Sequence, residues 1–103
     1  MSLKIIKLLN NEEVMGEIQW NSEGDCEITN PVRIQVMPGK TGEPQIGFAP
    51  WPMFADHESK QKFIVSSLSV IYQYSPAQEL INNYNSVFGS GIVLPPTKQI
   101  ITG

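Results

Sequence analysis

Cysteine, histidine and arginine occur once each in this chain, as Cys26, His57 and Arg33. A lone cysteine excludes an internal disulfide and a thiolate metal cluster, and fits a reducing, intracellular setting. A lone histidine leaves Asp56-His57-Glu58 as the nearest approach to a metal or acid–base cluster. Adjacent residues on a turn rarely converge on one ion, so they read as a solvated loop. There is no Gly-rich phosphate loop, no Ser-His-Asp order and no zinc spacing. The expectation is a protein that is not an enzyme and uses neither cofactor nor metal. Basic charge is also scarce: seven Lys/Arg stand against ten Asp/Glu, scattered, for a net charge of −3. One copy therefore lacks the clustered basic face that nucleic acid normally needs, although repetition around an oligomer is a way to build one. No apolar run is long enough to span a membrane, and the opening "MSLKIIKLLNNEEV" is too short and charged for a signal peptide. These absences point to a soluble cytoplasmic protein without a membrane partner.

What is present is period 2. Leu3–Leu9 is an apolar run closed by the polar "NNEE", suited to a hairpin loop. Val14–Trp20 alternates, with Val14, Gly16, Ile18 and Trp20 on the expected inner face and Met15, Glu17 and Gln19 outside. Gly16 on that face allows strong curvature or close backbone approach. After the turn "NSEGD", Cys26, Ile28, Val32, Ile34 and Val36 are expected inside, with a bulge or an unpaired side at Pro31. "MPGKTGEP" is a turn. Gln45–Phe54 and Phe63–Tyr74 are further apolar stretches, the latter broken at Ser66-Ser67.

The period changes at "SPAQELINNYNSVFG". Ser75 as N-cap, Pro76 at the first helical position and Gln78 in a capping box predict a helix over 76–88, stopped by Gly89. Leu80, Ile81, Tyr84, Val87 and Phe88 form its apolar face. The tail, residues 90–103, reads as extended, Pro95-Pro96 excluding helix. The 103 residues make one domain. The fold class expected is mainly β, a small, strongly bent five-stranded barrel over about 3–74 with a C-terminal helix.

"LNNEE", "VMGEI" with its inward Gly, and "DCEIT" resemble in order the first motif of the Sm/LSm family. "KFIVSSLSVIYQY" resembles the second, with Val65-Ser66-Ser67 where the family has Ile-Arg-Gly. With "FAPWPMFADHE" and "YNSVFG", the pattern is similar to Sm-like proteins of marine phage, cyanophage in particular. The resemblance implies an SH3-like barrel, head-to-tail assembly into a ring of roughly five to seven copies, and single-stranded RNA or DNA bound at the pore. By position the pore residues are Asp25, Glu27 and Thr29 with Val65, Ser66 and Ser67. Glu27 stands where a stacking aromatic or His is usual, and the Arg of the second motif is missing. Asn21 is an added uncharged contact, and Arg33 and Lys62 are the strand-borne cations available to phosphate.

Two functions follow. One is a ring-forming protein that binds single-stranded nucleic acid in its processing. The alternative is a phage structural or adaptor ring that binds protein partners without nucleic acid, in the cytoplasm of the host. Both need an assembly surface. In "GFAPWPMFADHESKQKF" Pro50 and Pro52 remove N–H groups from one side of an extended strand, which places the segment at an edge or over a bulge. Phe48, Trp51, Met53, Phe54, Phe63 and Val65 are accordingly the expected interface. Burial of Trp51 between subunits is preferred there over base stacking.

Overall fold

The computed structural model describes residues 2–59 and 61–88, and the backbone of 100–102. Seven strands form one antiparallel sheet: β1 Ser2–Leu8, β2 Glu13–Trp20, β3 Cys26–Pro38, β4 Pro44–Pro50, β5 Lys62–Val65, β6 Val70–Tyr74 and β7 Ile100–Thr102, with helix α1 at Gln78–Phe88. Hydrogen bonding runs β6-β1-β2-β3-β4-β7, and β5 joins the first half of β3. The strand number exceeds the expected five for two reasons. Ser66 accepts from Leu68 N–H and caps a 3-10 turn at Ser67–Ser69, which splits Phe63–Tyr74 into β5 and β6. The tail, expected only to be extended, contributes β7 on β4. Residues 89–99, including the Gly89 stop and Pro95-Pro96, lie outside the described residues.

Tight turns set the hairpins. Leu8 N–H reaches Glu12 O at 2.9 Å across the β1–β2 loop, where Asn11 takes φ 72°. In the β2–β3 turn Asn21 Oδ1 accepts from both Glu23 N–H and Asp25 N–H, each at 2.9 Å. Gly24 there sits at φ 84°, a conformation costly for side chains other than Gly and Asn.

The core is double-sided. Ile6, Leu8, Val14, Ile18, Cys26 and Ile28 make one cluster, completed by Trp51, Val65 and Val70. Ile5, Met15, Val32, Phe48, Tyr84 and Val87 make another, between the opposite face of the sheet and α1. Met15, expected outside, is thus fully buried because α1 covers its face, while Trp20, expected inside, is 40% exposed at the strand end.

The bulge expected at Pro31 is present, and it changes the pattern beyond it. Met15 pairs with Val32 but Glu17 with Thr29, so Asn30 and Pro31 together oppose Gly16. One extra residue inverts the alternation. Cys26 and Ile28 face one cluster, whereas Val32 and Ile34 face α1 rather than the same side, and Val36 beyond them is exposed. Gly16 is needed there: a Cβ would meet Ile28 Cγ2 at 2.7 Å and Thr29 O at 3.1 Å. The bulge also anchors the helix, since Tyr84 Oη donates to Asn30 O at 2.7 Å, with Asn30 at φ 52°.

The helix itself begins later than expected, and without the capping box. Lys4 Nζ donates to Ser75 Oγ at 2.7 Å, and Gln78 Nε2 donates to Asn82 Oδ1. The first helical carbonyl is that of Ala77, which accepts from Leu80 and Ile81 N–H.

Candidate functional site

Register brings the two turns singled out above to one end of the sheet. Cys26 pairs with Val65, so Asp25 at the close of the β2–β3 turn lies beside Ser66 at the start of the 3-10 turn. Along β3, Glu27 pairs with Ile64 and with Gln19, while Thr29 pairs with Lys62 and with Glu17. Paired residues share a face, so Glu17, Gln19, Glu27, Thr29, Lys62 and Ile64 form an outer row next to that end.

The charge of this end is acidic. Lys62 Nζ lies 3.8 Å from Glu27 Oε1, and Asn21 Nδ2 donates to the other Glu27 oxygen at 3.3 Å. The cation expected to meet phosphate is therefore engaged with a carboxylate, though an exposed pair of this kind contributes only about 0–1 kcal/mol. Glu23 and Asp25 add negative charge from the turn. Val65 pairs with Cys26 and packs against the first cluster, so its side chain serves the core rather than a ligand. Arg33 is not brought here; it lies beyond the bulge, paired with Val14 and Ala49. Asn21, Ser66 and Ser67 remain as uncharged polar groups at the turns.

The expected interface is also rearranged. β4 stops at Pro50, so Pro52 lies in a loop and the two prolines do not share a strand edge. Phe48 is fully buried in the chain's own core and offers no surface to a second subunit. Trp51 turns inward, its Nε1 donating to Glu12 Oε1 at 3.2 Å and its ring set edge-on to Phe63 at 6.2 Å. His57 tilts against Phe63 and bonds Pro52 O at 2.8 Å. Of the residues named, Met53 and Phe54 stand free in water, Phe54 being 95% exposed.

Large apolar exposure is found instead on β5, β6 and the 3-10 turn between them. Ile64, Leu68, Ile71, Tyr72 and Tyr74 are all at least 40% exposed. Among the described residues β5 pairs only with β3 and β6 only with β1, so each strand keeps one free edge. The Tyr72 and Tyr74 rings lie tilted against each other with centroids 5.8 Å apart, and Tyr74 Oη donates to a Glu13 carboxylate oxygen. Partial burial and that carboxylate hold the Tyr74 phenol well above its usual range. The signal for this surface was "VIYQY", a strand with no polar face.

Cys26 is buried, and burial pushes its thiol up to about 11, which makes it an inert core group. Among the described residues no three of His, Cys, Asp or Glu cluster to hold a metal, and no helix is long and apolar enough to cross a membrane. No protein-family model matches the chain, and no curated protein matches it.

Proposed function

We propose that this chain is an Sm-like barrel that assembles head to tail, the free edge of β5 in one copy pairing with the free edge of β6 in the next, and that the ring serves as an adaptor for protein partners. The observation that carries the reading is β6. Four of its five residues are exposed on alternate faces, three of them apolar, and its outer edge is unpaired among the described residues. Such an edge is an aggregation hazard unless another strand covers it. A second copy supplies the complement, because the same chain carries a second free edge on β5 with Ile64 65% exposed. Two different edges on one subunit give a heterologous contact, which closes into a ring when the rotation permits. Closure of the barrel is supported by the four residues that carry the chain from β5 on β3 to β6 on β1, and by a cluster drawing on β1, β2, β3, β5 and β6.

The adaptor role rests on charge. A ring repeats Glu23, Asp25 and Glu27 around one end, and like charge repels a phosphate backbone. Binding of single-stranded RNA or DNA is the second reading, favoured by Asn21, Ser66 and Ser67 at that same end, where uncharged donors and acceptors read bases. Titration of the assembled protein with fluorescent oligo-U and oligo-dT at low salt separates the two. The adaptor reading expects no saturable binding; binding that weakens steeply with salt assigns the ring to nucleic acid.

A further inference from the structure

The single arginine lies apart from the turns and from both free edges. Arg33 is flanked by Val14 on β2 and Ala49 on β4, and Gln35, two residues along, faces Gly47. This is the face of the β3–β4 hairpin opposite the helix, since the intervening Val32, Ile34 and Phe48 pack towards α1. A long side chain thus stands among short ones. Arg33 is half-buried; one Nη2–H donates to Gln35 Oε1 at 3.1 Å, and Gln35 Nε2 is turned to Met37 Sδ at 3.7 Å. Glu12, at the approach to β2, is taken by Trp51 Nε1 at 3.2 Å and Asn10 Nδ2 at 2.9 Å. No carboxylate of the described residues comes within ion-pair distance of Arg33. A half-buried guanidinium without counter-charge bears a desolvation cost that an anion offsets.

We propose that Arg33 and Gln35 form a receptor for the carboxylate of one acidic side chain of a protein partner. The planar fork accepts carboxylate in a bidentate geometry while keeping its bond to Gln35. Phosphate of a nucleic-acid strand is the poorer match. Strand binding sums several cationic contacts, and among the described residues the β3–β4 pairing brings Arg33 no second cation, in a chain of net charge −3. The bland alternative is an arginine whose stem covers Val14 and Ala49 while its head meets water, a use in which Lys serves equally. The site includes no residue of β5 or β6, so its failure leaves the assembly reading untouched.

Because the chain has one arginine, its Nε–Hε resonance is a unique reporter. The full-length protein is titrated with N-acetyl-glutamate methylamide, and in parallel with inorganic phosphate and oligo-dT, while the Arg33 Nε–Hε and Gln35 side-chain amide are followed by NMR. The receptor predicts a saturable shift of both signals with the glutamate probe. The Gln35 shift is lost in Arg33→Gln and weakened several-fold in Arg33→Lys, with subunit assembly unchanged. Three results overturn the proposal: no saturable shift, a Gln35 response in Arg33→Lys equal to that of the parent, or tighter binding of phosphate or oligo-dT than of the glutamate probe.

Discussion

Gly47–Phe63 and Val70–Tyr74 are two apolar, aromatic-bearing regions of the molecule, and they dispose of those side chains in opposite ways. The first turns Phe48 into the core and Trp51 and Phe63 onto each other, leaving Met53 and Phe54 outside. The second is a regular strand that leaves Ile71, Tyr72 and Tyr74 in water. The difference lies in what covers each one. β4 has β3 on one side, β7 on the other and α1 over its face, whereas β6 ends the sheet among the described residues. Aromatic density therefore marks neither a site nor an interface by itself; the proposed assembly rests instead on an edge that is unpaired among the described residues and carries apolar side chains on both faces.

The comparison is broken most directly by truncating one residue in each region. Phe48→Ala is expected to cost about 3–5 kcal/mol of folding stability, as for a buried aromatic. Tyr72→Ala should cost the subunit fold under about 1 kcal/mol, the range of an exposed position. Urea unfolding at a protein concentration low enough for the subunits to be separate reads both; equal losses would erase the contrast.

Next in size is the bulge that separates the two core clusters. Gly16→Val places side-chain atoms where Ile28, Thr29 and Pro31 already stand, and should destabilise by about 1–3 kcal/mol through overpacking. A neutral result would mean that β2 and β3 do not approach as closely as described.

Smaller still is the tie between bulge and helix. Tyr84→Phe loses the bond to Asn30 O, an expected cost of about 0.5–1.5 kcal/mol in urea unfolding. Burial raises the Tyr84 phenol, and burial also raises the Cys26 thiol, from 9.0 to about 11. Both folded values lie above the unfolded ones. Their contribution to stability is therefore complete below the unfolded values and is lost as pH rises through the folded ones. Stability should begin to fall above about pH 9, and Cys26→Ala should flatten the thiol's part of that fall. A curve rising with pH there contradicts the burial of both groups.

The sequence made the local devices legible. An apolar run marks β1, alternation marks β2 and the first half of β3, Gly16 marks close approach, Pro31 marks a bulge or an unpaired side, and Ser66-Ser67 marks the break between β5 and β6. These depend on neighbours in the chain. What was not legible depends on partners far from it. Met15 looks outward until α1 is known to cover it, and Val32 changes face because one bulged residue resets the period. Ser75 loses its capping role to Lys4, a residue from β1. An interface built on Phe48, Trp51, Met53, Phe54, Phe63 and Val65 relies on a strand that continues through Pro52; ending β4 at Pro50 removes the shared edge.

Of the candidate nucleic-acid residues, motif order puts Asp25, Ser66 and Ser67 at one end, and Asn21 joins them only as an uncharged residue of the adjoining turn. The pairing of Lys62 with Glu27, which sets the charge of that end, needed the β3–β5 register.

The central claim is that the free edges of β5 and β6 meet between copies. Light scattering coupled to size exclusion on the purified protein and on Ile64→Lys/Tyr72→Lys tests it most directly. The account predicts a single species several times the 11.5 kDa chain mass for the parent. It predicts a folded monomer for the double variant, with far-UV circular dichroism unchanged. A monomeric parent, or a double variant that assembles like the parent, contradicts it.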